Sequence, residues 1–139
     1  MARKTGRPHP TVNMAIMPDE PEYQLPPPEE CEDTVSTVPL AIHDHLVCKF
    51  SMWKDRYMVE FAVMQRTRMN DRWHEIVRID TCHNEVHSHR FRRNGTETRT
   101  VLQPIPAAGG WDVVDRWYDK ALSMLESEWQ RNLDIWQGQ

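Results

Sequence analysis

Between Leu46 and Leu102 apolar and polar residues alternate in short runs, and from Trp111 onward apolar residues recur every three or four positions. The first pattern has the period of strands and the second that of a helix. Leu46, Cys48 and Phe50 alternate with Val47 and Lys49, then Tyr57, Val59, Phe61 and Val63 with Met58, Glu60, Ala62 and Met64. Matching apolar residues across an antiparallel ladder pairs Phe50 with Val59 and Leu46 with Val63. A turn at residues 67–71 then sets Phe61 against Val77 and Val59 against Ile79, with Glu60 beside Arg78. The next ribbon folds back at His83 and Asn84, which puts Asp80 opposite His87 and Arg78 opposite His89. Asn94-Gly95 is a strong hairpin signal, and it returns residues 98–102 as a fifth strand, with Thr100 opposite His89 and Leu102 opposite His87.

The helical stripe runs through Val114, Trp117, Tyr118, Ala121, Leu122, Leu125, Trp129, Leu133 and Trp136. Burying each large apolar side chain is worth roughly 1.5–3 kcal/mol, so this stripe should hold one sheet face. The expected fold is α+β: a five-stranded antiparallel meander with one face packed by a C-terminal helix. Val77, Ile79, Thr81 and Val86 belong to the covered face. Glu60, Arg78, Asp80, His87 and His89 belong to the other, which is expected to lie open.

Composition divides the chain of 139 residues into a tail, 1–39, and one domain, 40–139. Eight of the ten prolines lie in the tail, and its seven acids and three bases account for the whole formal net charge of −4. Such a segment buries too little apolar surface to offset its chain entropy and is expected to be disordered or extended. Within the neutral domain eight arginines fall between positions 66 and 99 against five acids. Arg90, Arg92, Arg93 and Arg99, with Glu60, are candidate binding residues, because a guanidinium forks onto phosphate or carboxylate. The three cysteines are widely spaced and include no Cys-x-x-Cys pair, which argues against a disulfide framework and a structural zinc knuckle. No apolar run reaches the length of a membrane span. The expected setting is a reducing compartment, the cytoplasm.

The chemistry concentrates in the hairpin. His-x-His on a strand sends both imidazoles to one side, where His87, His89 and Asp80, with His83 or Cys82 from the turn, would suit a divalent transition metal. A metal-free reading uses the same residues, with one histidine as general base, another as general acid and Arg78 as the charge that stabilises a phosphate oxyanion. An open face ringed by arginines suits single-stranded RNA. Arg78, Asp80, His83, His87 and His89, in the order Arg-x-Asp-x-x-His then His-x-His, resemble the TumE-type toxins of bacterial toxin-antitoxin systems. They are also similar to small proteins of bacteria and phages that share an Arg-x-Asp and His-x-His core, over roughly residues 45–125. The resemblance implies a toxin-like ribonuclease held in check by an antitoxin partner.

Three functional readings therefore stand: a small toxin-like protein acting on RNA, a metal-binding or metal-dependent hydrolase domain, and a non-catalytic interaction module. In the third, the open face or the Pro-rich acidic tail would dock a partner, and whether the tail lies ordered against the arginine-rich hairpin discriminates it; separately, an exposed sheet edge at 46–50 or 98–102 would allow a homodimer by strand pairing.

Overall fold

A computed structural model describes residues 22–138. Six antiparallel strands lie side by side in chain order: β1 (Cys31–Ala41), β2 (Asp44–Trp53), β3 (Tyr57–Met69), β4 (Arg72–Cys82), β5 (Glu85–Phe91) and β6 (Glu97–Pro104). One helix, α1 (Gly110–Gln137), follows. The architecture is α+β, with six strands where five are expected. The added strand is β1, drawn largely from the segment assigned to the tail; residues 1–21 of that segment lie outside those described. β1 escapes the hydrophobic pattern because it is an edge strand. Glu32, Asp33 and Thr34 pair with Met52, Ser51 and Phe50 on one side only, and its side chains are mostly exposed. Charges, and a proline beside a register shift such as Pro39, are what an unpaired edge tolerates. Consequently residues 46–50 are an interior strand, and the outer edges are β1 and β6.

The β3–β4 turn is tighter than the sequence implies. Lys54–Asp55, Asn70–Asp71 and His83–Asn84 all adopt positive φ at both positions, the geometry of a type I′ hairpin, which Asn and Asp accept most readily. Because β3 runs on to Met69 and β4 starts at Arg72, the pairs are Val63 with Ile79, Gln65 with Val77, Ala62 with Asp80 and Met64 with Arg78. Glu60 is not beside Arg78; it lies opposite Ser51. Between β2 and β3, Phe50 meets Phe61 and Cys48 meets Val63, two positions from the expected partners. A two- or four-residue slip leaves every side chain on its face, so the buried set survives the error. Between β5 and β6 the slip is one residue. Arg99 lies opposite His89 and Val101 opposite His87, because the loop at 92–96 is longer than a two-residue turn, closed by Arg92 N–H to Thr96 O and Gly95 N–H to Arg92 O.

α1 lies on the face that carries Leu46, Phe61, Val63, Val77 and Ile79, and its Val114, Ala121 and Leu125 join them in one buried cluster. A polar tie crosses this core. Gln65, fully buried, donates through Nε2 to Trp129 O at 2.9 Å and accepts from Asn132 Nδ2 at 3.1 Å. Ahead of β1, Tyr23 is buried and its hydroxyl donates to Val59 O at 2.6 Å. A Cβ at Gly110 would run into the Tyr23 ring, so the start of the helix must be glycine for this contact to close. Among the described residues no helix is long and apolar enough to cross a membrane.

Two outcomes follow from this packing. Ile79→Ala should cost about 2–5 kcal/mol, read as a lower urea midpoint at unchanged slope. His45 stacks on Trp73 with ring centroids 3.8 Å apart, and burial, then the Arg66 charge, lowers its pKa from the ordinary 6.5. The unfolded chain therefore takes up this proton first as pH falls, and stability contributed by the neutral ring is lost below pH 6.5. In His45→Phe the fall of the urea midpoint on acidification should be shallower; an unchanged slope would show that His45 does not contribute.

Candidate functional site

β4 and β5 are held in register by the His83–Asn84 turn, which pairs Asp80 with His87 and Arg78 with His89. Since successive strand residues alternate sides, Val77, Ile79 and Val86 enter the core under α1. Arg78, Asp80, His87 and His89 are thereby sent to the opposite face.

Asp80, His87 and His89 come together: one oxygen or nitrogen from each lies within 4.8 Å of the others. His89 Nε2 is 3.0 Å from Asp80 Oδ1, and its Nδ1 is 2.8 Å from Glu97 Oε2. A neutral imidazole can donate to only one of these carboxylates. His87 Nε2 is 2.9 Å from Glu85 Oε1, while its Nδ1 is buried and has no hydrogen-bond partner among the described residues. In each ring one nitrogen is held by an outlying glutamate; the other meets Asp80 in His89 and has no partner among the described residues in His87. Around a metal, such outer carboxylates orient the imidazole and set its tautomer.

The face expected to lie open is closed at this point. His87 is 1% exposed and His89 9%. Each is flanked across both ladders, His87 by Asp80 and Val101, His89 by Arg78 and Arg99, and the Glu85 and Glu97 carboxylates cap their outer nitrogens. His89 also stacks over Phe91, with ring centroids 6.3 Å apart.

Arg78 is committed elsewhere. Its Nε and Nη2 donate to the two oxygens of Glu75 at 2.6 and 3.0 Å, and Nη1 is 3.8 Å from Asp80 Oδ2. The Glu75 hydrogen bonds above all hold its pKa above the ordinary value. His83 is exposed in the turn, outside the cluster. Cys82 is also exposed, and burial of its sulfur, then the Asp80 charge, raises its thiol pKa. Glu60 lies toward β2, where burial and then Asp33 raise its pKa. Of the candidate arginines, Arg99 shares the histidine face. Arg90 pairs with Val77 on the helix side, Arg92 stands in the loop beyond β5, and Arg93 lies over the Trp136 ring at 5.3 Å. The acids of β1 are on the far edge of the sheet from β5 and β6, so Glu32 and Asp33 are not laid against that hairpin.

Glu85 and Glu97 are absent from the sequence-based list. Glu85 was within reach of it, because Glu85-x-His87-x-His89 places all three on one side of a strand. Glu97 was hidden by the one-residue slip in β6, since that register turned it away.

These features define a sheet-and-helix α+β domain with a histidine–carboxylate centre on the face away from its helix. The chain belongs to a family described as a domain of unknown function (DUF7718), whose model matches residues 33–135. No curated protein and no solved structure matches it.

Glu97 ties the edge strand β6 to β5 through His89. Hydrogen bonds to charged groups are worth roughly 1.5–3 kcal/mol, and half-exposure of the carboxylate reduces this to about 1 kcal/mol. Glu97→Ala should lower stability by that amount and speed amide hydrogen exchange at Arg99 and Val101 more than Thr98→Ala does.

Proposed function

We propose that this is a metal-binding domain in which Asp80, His87 and His89 hold one divalent transition metal. Two observations carry it: one donor atom each from Asp80, His87 and His89 lies within 4.8 Å of the others, and His87 has a buried Nδ1 with no hydrogen-bond partner among the described residues. Burying an unpaired polar atom costs roughly 1–3 kcal/mol, and a coordinated cation would remove that cost. The local charge supports the same reading: Glu75, Asp80, Glu85 and Glu97 surround the centre against Arg78 and Arg99. Two imidazoles and a carboxylate are the set that zinc or ferrous iron takes with coordination positions left for water or substrate. An ion at about 2.0–2.2 Å from each donor would draw the three side chains inward. With water in an open position the centre would supply a hydroxide near neutral pH, the basis of metal-assisted hydrolysis.

The toxin-like reading places RNA cleavage on the same histidines. An arginine on the histidine face, Arg99, favours it. Burial of both rings and the engagement of Arg78 by Glu75 weigh toward the metal, since general acid–base work on a polymer needs an imidazole the substrate can reach.

Dialysis of the purified protein against zinc, manganese, cobalt or nickel should leave one ion per chain. Asp80→Asn and His87→Gln should each abolish retention, and Glu97→Gln should weaken it by about 10–100-fold as an outer partner. A folded protein that retains none of these metals would overturn the proposal, and cleavage of RNA by such metal-free protein would restore the nuclease reading.

A further inference from the structure

The sheet face away from α1 carries a second feature, at the end far from the His83–Asn84 turn. Gln65 faces the helix, and His74 meets the Trp136 ring of α1 with centroids 5.4 Å apart. Strand alternation therefore sends Arg66, Arg68 and Trp73 to the other side. There Trp73 of β4 stacks on His45 of β2, with ring centroids 3.8 Å apart and planes within 14°. The two rings come from the strands on either side of β3, so they meet over it. His45 is opposite Arg66 and Trp73 is opposite Arg68, and the stack is thereby flanked along β3 by two arginines. Burial first and then the Arg66 charge hold the His45 pKa below its ordinary value, which sets Arg66 within electrostatic reach of the rings. Although His45 covers one face of the indole, Trp73 remains 37% exposed. Neither arginine is firmly committed. Glu75, opposite Arg66, gives both its oxygens to Arg78, and Arg68 has only a 3.9 Å contact to Asp71, with the two side chains 50% and 97% exposed.

We propose that this end of the face binds single-stranded nucleic acid, with one base stacked on the Trp73–His45 pair and the adjoining phosphates met by Arg66 and Arg68. A ring already fixed by a neighbour loses little freedom when a base settles on it, and base–aromatic stacking tolerates any sequence because every base has a π-face. The guanidinium fork matches a phosphate. The two features together select the class: an acidic peptide would use the arginines and leave the indole idle, and a duplex keeps its bases within its own stack. The centre at Asp80 lies further along β4 and takes no part, and no cleavage is required, so this binding stands apart from both the proposed metal and the nuclease reading. A ring pair that served only to cover β3 would confer no preference for a base.

The test is fluorescence anisotropy of labelled oligo-dT, oligo-rU and abasic strands about ten nucleotides long, titrated with the full chain at about 50 mM salt, in EDTA so that the outcome does not depend on a metal. Oligo-dT or oligo-rU should bind saturably with a Kd below about 100 µM, the tighter of the two naming the sugar, and the abasic strand should bind about 5-fold more weakly or worse. Trp73→Leu should weaken binding of the base-bearing strands by about 5-fold or more, and Trp73→Phe should retain most of the affinity, a rescue that loss of the fold would not give. Arg66→Gln and Arg68→Gln should each reduce the slope of log affinity against log salt by about 0.7, while Arg131→Gln, exposed on α1, should leave it unchanged. No saturable binding below about 100 µM, an abasic strand bound as tightly as the others, Trp73→Leu as tight as the parent, or arginine variants indistinguishable from Arg131→Gln would each overturn the proposal. Equal affinity for a polyglutamate peptide would overturn it in favour of an acidic protein partner.

Discussion

The contact on which this domain depends is the seating of α1 across the middle of the sheet. Apolar burial there fixes which side of each strand faces inward, and a strand has only two sides. Once Val77, Ile79 and Val86 are taken by the core, Arg78, Asp80, His87 and His89 have no freedom to go elsewhere. The centre is therefore a geometric by-product of the core as well as a chemical feature: a one-residue slip in β4 would bury Arg78 under the helix and expose Ile79, at a cost that no hydrogen bond could offset.

The same logic explains what was legible in the sequence. Side-chain parity was readable wherever one face is buried, so the identity of the core and the meeting of Asp80 with His87 could be inferred from alternation and one turn. Absolute register was not readable, because pairing apolar residues is satisfied equally by shifts of two or four, and only the unrecognised I′ turn at Asn70–Asp71 selects among them. β1 was illegible for a related reason: with one ladder and mostly exposed side chains it has no hydrophobic pattern to show, and its acids and proline read as a tail. β6 failed in the most damaging way, by a single residue. That error removed Glu97 from His89 and put Thr100 in the place of Arg99.

The arginines illustrate how a compositional cluster can mislead. Arg78, Arg90, Arg93 and Arg99 are close in sequence yet divide between the two sides of the sheet. Arg78 is held by Glu75, Arg93 lies on Trp136, Arg90 pairs with Val77 on the helix side, and Arg99 alone stands exposed beside the histidines. Opposite charges near the centre come from glutamates two and eight residues from their histidines. The electrostatic character of the histidine face is thus set by carboxylates that the linear count of bases had outnumbered.

Each strand pairs only with its neighbours in sequence, and this has a kinetic meaning. Closing a two-residue loop orders few residues before the first cross-strand bonds form, so the sheet can assemble by successive short zippering steps, and no distant segments must find one another before hydrogen bonding begins. α1, which reaches back to β3, and the segment ahead of β1 make the longer excursions. Tyr23 and Gln65 are the latches across them, reaching Val59 O and Trp129 O over 36 and 64 positions of the chain and joining the hairpins into one unit.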